Sequence, residues 1–272
     1  MTVKTFFYGL IASFGLPWLV MLAVPFGTMR SMEAPSYDEV NDERTDLYQP
    51  TRSGRTENGS LIYAQEGCAM CHSQVTRPTY AGMDVFREGQ GGTKKDAERG
   101  DTRRITNAWD FSGENRAHIG ESRIGPDLGN FGNRLVALEN EENEKAAIAM
   151  GIALEREDKS KLTKQEIIDA LGDKAFNKEL YVYKHLYSPR NEGHEDRGQE
   201  NEWSVCQANP QFFKKIGNFG QGASDAVAIK CGKQLVPTDN CRAIVSYLMS
   251  LKKDGAVPYA MQYSKDKKKA GK

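Results

Sequence analysis

From Thr5 to Met29 the chain carries no charged residue, a run that, as a helix, is ample to cross a bilayer core. It predicts a transmembrane helix. A cleaved secretory signal competes, but the run is longer than an ordinary signal core and no A-x-A site precedes the polar sequence, which favours retention. Pro17 and Pro25 fit where such a helix bends or ends, and Trp18 reads as apolar bulk. The pattern turns polar from about 31 to 56, with Pro35, Pro50 and many acids. That stretch reads as a linker, either a plain spacer or a segment lying along a partner. Apolar residues then return: Leu61, Ile62 and Tyr63, with Gly59, predict a short helix running into Cys68. Near the other end Ile244, Tyr247, Leu248 and Leu251 recur at helical spacing, predicting a helix from about Asn240 to Lys253 capped by Thr238 or Asp239. Gly59 is small enough to admit another helix, so these two are expected to cross, with Tyr247 and Met249 in the core.

Between them the pattern weakens and then becomes helical. Residues 83 to 115 are rich in Gly and charge and predict an irregular loop. Residues 138 to 187 predict helices: Thr163-Lys-Gln-Glu166 is a capping box, Gly172 is a stop, and Phe176, Leu180, Tyr183 and Tyr187 form an apolar stripe for packing. No internal repeat points to a second copy of any unit. The Lys-rich end, Lys265 to Lys272, reads as a solvated tail.

Charge then narrows the functional classes. With 37 basic and 37 acidic residues, no overall field points to nucleic acid or an acidic substrate. Lys4 and the amino group precede the apolar run, and an acid-rich stretch from Glu33 to Glu43 follows it. The positive-inside preference therefore puts the N-terminus in the cytoplasm and the remaining chain outside, in the periplasm or its equivalent.

Five cysteines complete the picture. Cys68-Ala-Met-Cys71-His72 is a C-x-x-C-H run, the attachment signature of a c-type haem: two thiols one turn apart can add to both vinyl groups of a porphyrin, with His72 beneath the iron. Without His72 the pair would equally suggest a thioredoxin-like motif or half a zinc site. Cys206, Cys231 and Cys241 remain, enough for one disulfide and one single thiol in an oxidising compartment. Gly125-Pro126 makes a turn in any protein, but here the Pro126 carbonyl is a candidate acceptor for the second ring nitrogen of His72. Arg77, Arg123 and Arg134 are candidates for the haem propionates, which a guanidinium binds bidentately, although each also reads as a surface charge. His118, His185 and His194 are scattered, and an oxygen-reducing haem–copper site needs several convergent imidazoles.

Four stretches carry a family resemblance: Gly67-Cys-Ala-Met-Cys-His-Ser-Gln-Val-Thr-Arg-Pro78, Arg123-Ile-Gly-Pro-Asp-Leu128, His185-Leu-Tyr-Ser-Pro-Arg190 and Val245-Ser-Tyr-Leu-Met-Ser-Leu251. Together with the anchor, and in this order, they resemble the membrane-anchored mono-haem subunit II of cbb3-type cytochrome c oxidases over nearly the whole chain. C-x-x-C-H is common to all c-type cytochromes; His-Ser-Gln followed by Arg-Pro is much more specific. The resemblance implies a mainly α fold: a class I-like cytochrome c domain with a helical insertion and an N-terminal transmembrane helix. Its parts are an anchor at 1–30, a periplasmic linker at 31–56, the haem domain at 57–255 with its insertion at about 138–187, and a basic tail at 256–272. It further implies one covalently bound haem c and a single pass of a bacterial inner membrane. The partners implied are a haem–copper catalytic subunit, where oxygen is reduced, and other cytochrome subunits. The matched His185 then reads as a structural hydrogen-bonding group. A tethered cytochrome of another reductase or supercomplex is the alternative, and a haem-free dithiol or metal module a third reading from a different class.

The chain departs from that family at one place. Where the family has a Met in a Ser-x-Met-Pro sequence, this chain reads Ser204-Val205-Cys206-Gln207, and no methionine occurs from Gly151 to Leu248. The match thus makes Cys206 the sixth iron ligand, with Cys231 and Cys241 left for a disulfide. The competing reading pairs Cys206 with Cys231 or Cys241, and gives the iron Met83, Met150 or no sixth ligand.

Overall fold

A computed structural model describes residues 2–31, 52–87, 89–94, 100–111, 114–152, 154, 161–190, 205–217, 225–230, 233–255 and 257. About half of this is helix, with one small sheet.

The N-terminal helix starts at a Thr2 cap and runs as α1 (Val3–Trp18), a π-turn (Leu19–Ala23) and α2 (Val24–Arg30). Pro17 has no amide hydrogen to continue the ladder. Directly after it the hydrogen bonds lengthen by one residue, Val24 N–H reaching Leu19 O, so the expected bend takes the form of a π-turn. The 28 residues from Val3 to Arg30 are long enough and apolar enough to cross a membrane, and none is buried in the protein. A signal sequence passes the same test.

α3 (Gly54–Gln65) begins earlier than the sequence pattern suggests, because the Ser53 hydroxyl accepts the Thr56 amide at 3.3 Å and so caps three polar residues into the helix. The linker boundary therefore moves back from 56 to about 52. The closing helix, α7 (Asp239–Ser250), follows the expected Thr238 cap. α3 and α7 cross with Gly59 at the contact: a Cβ there would lie 2.5 Å from the Ala243 carbonyl carbon and 2.9 Å from Tyr247 Cβ. Tyr63, Ile244 and Tyr247 are almost fully buried at this crossing, as expected of Tyr247, and Met249 packs against the same core.

Two further helices extend that core, and a third, between them in sequence, packs beside it. α4 (Phe131–Ala149) starts seven residues before the expected insertion, since Leu135 already faces α7 and Gly132 lets the two backbones meet, its N–H reaching Leu251 O at 2.9 Å. α5 (Lys164–Leu171) has the predicted Thr163/Glu166 capping box and ends at Gly172, φ 55°. α6 (Lys178–Tyr187) is capped by Asn177 and buries Val182 and Tyr183. Ala147, Ile167 and Leu171 form a small second cluster between α4 and α5.

The sequence pattern did not reveal the sheet. β1 (Phe213–Gly217), β2 (Ala228–Lys230) and β3 (Lys233–Pro237) form antiparallel pairs in the order β1-β3-β2, with Phe213 opposite Pro237 and Ala228 opposite Leu235. β3 buries Gln234 to Pro237 and leads straight into α7. The loop over 83–115 is irregular as expected but not loose. Arg104 and Asp110, 2% and 0% exposed, form a two-pronged ion pair at 2.5 and 2.8 Å, and Arg104 Nε donates to Gly255 O at 2.6 Å. Val257 is buried, so the domain extends past 255. The acid-rich segment 33–43, His194, Cys231 and the Lys-rich tail lie outside the described residues.

Candidate haem-attachment site

The C-x-x-C-H run sits where α3 ends. Gly67, with φ 71°, reverses the chain out of α3, and Cys68–Met70 form a 3-10 turn in which His72 N–H reaches Cys68 O at 3.0 Å. Both thiols and the imidazole thereby fall within one turn and its exit. Burial pushes the Cys68 thiol up to about 11, helped by the neighbouring Glu66 charge. Cys71 is exposed.

Residues 119–129 wrap the run from outside through backbone bonds: Gln74 N–H to Ile119 O at 3.1 Å, Glu121 N–H to Ala69 O at 2.9 Å, Gly125 N–H to Cys71 O at 2.9 Å and Leu128 N–H to Ser73 O at 2.8 Å. This wrap brings the Pro126 carbonyl 2.8 Å from His72 Nδ1, the expected partnership. A carbonyl only accepts, so Nδ1 carries the proton and Nε2 keeps its lone pair. Among the described residues nothing hydrogen-bonds Nε2. Burial lowers the His72 pKa, against the pull of the Pro126 bond, and keeps the ring neutral, the form that ligates iron.

The expected arginines divide. Arg77 and Arg123 converge on one carboxylate that the sequence reading missed: Asp84 takes Arg77 Nε and Nη2 at 3.1 Å each and Arg123 Nη1 at 2.6 Å. Burial alone would raise the Asp84 pKa, but the bonds from Arg77 and Arg123 outweigh it and hold the carboxyl below its ordinary value. Arg123 also donates to Val75 O and lies 3.7 Å from Asp127. Arg134 is different. Its Nη2 donates to Asp127 O, its Nε is buried with no acceptor, and among the described residues no carboxylate pairs with it. Its charge is felt at His72.

Cys206, 134 positions beyond His72, returns to this neighbourhood. It is half-buried, burial raises its thiol pKa, and the charges of Cys71 and Arg190 act on it. Met83 and Met150 are 58% and 45% exposed, Met150 at the end of α4. Cys241 is wholly buried in the core, where desolvation raises its thiol to about 12. His185 is half-buried in the last turn of α6.

These residues fit a haem on three observations. Among the described residues Nε2 of His72 has no hydrogen-bond partner and both thiols of the run are free; Arg134 Nε is a buried donor that a propionate would satisfy; and Met70, Ile119 and Ile124, on the segments flanking His72, expose large apolar side chains that a flat macrocycle would cover. One buried group had no sequence signal: His118 lies 6% exposed between the Tyr63 and Tyr247 rings, its Nε2 2.9 Å from Ser60 Oγ. No protein-family model matches the chain, and no curated protein matches it.

Proposed function

We propose that the chain is a membrane-anchored, mono-haem electron carrier, the periplasmic haem c subunit of a cbb3-like cytochrome c oxidase in a bacterial inner membrane. The observation that carries the reading is the tautomer of His72: Pro126 holds the Nδ1 proton, and Nε2 is left as a ligand one turn from two thiols. A covalently attached haem supplies reversible one-electron chemistry at its iron. Cys68 and Cys71 hold it by thioether links, His72 ligates through Nε2, and Arg134 neutralises a propionate. Arg77 and Arg123 act there as a pair already bound to Asp84. Cys206 is the first candidate for the sixth ligand, on the family resemblance, and the Cys71 charge acts on its thiol. A thiolate there stabilises ferric iron and lowers the potential relative to a thioether. The Val3–Arg30 helix serves as the anchor, and the partners are the haem–copper subunit that reduces oxygen and other cytochrome subunits.

The test is a reduced-minus-oxidised spectrum of the purified chain with acid-acetone extraction. A c-type alpha band that resists extraction, and is lost when Cys68 and Cys71 are both replaced by Ala, supports the proposal. Absence of the band in the wild type returns the run to a dithiol or metal module. Co-purification with a large, His-rich polytopic subunit separates the oxidase from another respiratory complex.

A further inference from the structure

Asp127 is 2% exposed and occupies the gap between the two segments that meet at the His72–Pro126 bond. Its Oδ2 accepts the Ser73 hydroxyl at 2.7 Å and the Val75 amide at 2.8 Å, and its Oδ1 accepts the Gly129 amide at 2.8 Å. Ser73 follows His72 directly, and Asp127 follows Pro126 directly. The carboxylate therefore ties together the two residues that adjoin the donor and the acceptor of that bond. The cations facing it are Arg123, 3.7 Å away, and Arg134, which donates to its backbone carbonyl.

We infer that Asp127 is the positioning residue of the His72 imidazole, and that its buried negative charge lowers the reduction potential of a haem held there. The inference rests on the haem reading of the preceding subsection and extends it to how the site is tuned. Two effects act in one direction. A firmly held Nδ1–H donor makes the imidazole a more basic ligand, which favours ferric iron. A fixed anion behind the ring favours the oxidised haem, which carries one more positive charge than the reduced form. The three donors on the carboxylate hold it in place and offset part of its charge.

The experiment is potentiometric titration of the full-length, detergent-solubilised protein and three variants. Asp127→Asn keeps the shape and removes the charge, so the potential should rise; Asp127→Glu keeps the charge and should stay closer to the wild type than to Asp127→Asn. Ser73→Ala leaves the charge, and the Val75 amide still ties the carboxylate to the His72 segment, so the imidazole stays placed while one offsetting donor is lost, and the potential should fall. If Asp127→Asn fails to fold or retain haem, Ser73→Ala decides. An unchanged potential in Ser73→Ala, or an unchanged or lowered one in Asp127→Asn, overturns the inference even where unfolding shows lost stability, because Asp127 is then scaffolding alone. A wild type without a c-type alpha band is a different result: it removes the haem reading itself.

Discussion

Gly125 leaves no room between its Cα and the His72 ring: a Cβ at that position would lie 2.6 Å from Nδ1 and 2.8 Å from Nε2. The glycine next to Pro126 is required by this close approach. Gly125→Ala should push the imidazole off the Pro126 carbonyl and cost about 1–3 kcal/mol of stability through overpacking. Urea unfolding of the haem-free chain, with haem yield on expression, checks this. Wild-type values for both would mean the ring and loop separate freely.

The α3–α7 crossing offers a steric test away from the motif. Gly59→Ala places a methyl group against the backbone of Ala243 and should cost about 1–3 kcal/mol. Gly54→Ala, in the same helix with nothing within 4 Å of its Cβ, should not destabilise at all, since Ala is the better helix former. Equal unfolding midpoints for the two variants would contradict the crossing.

Arg104 and Asp110 are a buried pair in the long loop, each with two contacts to the other. Removing one charge breaks both prongs of a buried pair, so Asp110→Asn should cost about 3–5 kcal/mol. Replacing both by apolar residues of similar size should cost less than the single change. Unfolding free energies of the three variants decide the point.

His118 sets a pH dependence. Burial lowers its pKa, against the pull of Glu114, and Lys253, Arg116 and Arg52 add to the lowering. The charged form is thus disfavoured in the folded state relative to the unfolded chain. The unfolded chain binds the extra proton below about pH 6.5, so stability is full above that pH and declines as pH falls toward the lowered folded value. His118→Gln should show a flatter midpoint between pH 8 and 5 than the wild type. Superimposable profiles would exclude His118 as the titrating group.

What the sequence disclosed was mostly local chemistry. The Thr163/Glu166 capping box, the Thr238 cap and the helical spacing of Ile244, Tyr247 and Leu248 each depend on residues within a turn or two, and each stands as read. The Pro126 partner of His72 was legible because a ligating imidazole needs an acceptor and Gly125-Pro126 supplies a fixed carbonyl. The sheet was not legible. β1 reads Phe-Lys-Lys-Ile-Gly and buries only its first residue, so no alternation marks it as a strand, and its partner β3 lies 20 positions away. Asp84 and Asp127 looked like ordinary acids because their importance comes from arginines and amides that only the folded chain brings to them. The burial of His118 was not legible for the same reason: its neighbours Ser60, Tyr63 and Tyr247 come from both ends of the domain.

The same pairing of ends orders events in time. Thr56 on α3 and Ser246 on α7 share a hydrogen bond at 2.9 Å across 190 residues. Closing so long a loop costs roughly 5 kcal/mol of chain entropy beyond a constant, and burial at the crossing repays it only when α7 is present. A chain delivered N-terminus first thus presents Cys68 and Cys71 well before the helix that completes the core exists. Until that last helix docks, the crossing that buries α3 is incomplete, and any machinery that must work on the Cys68 and Cys71 thiols meets a chain whose core is unfinished.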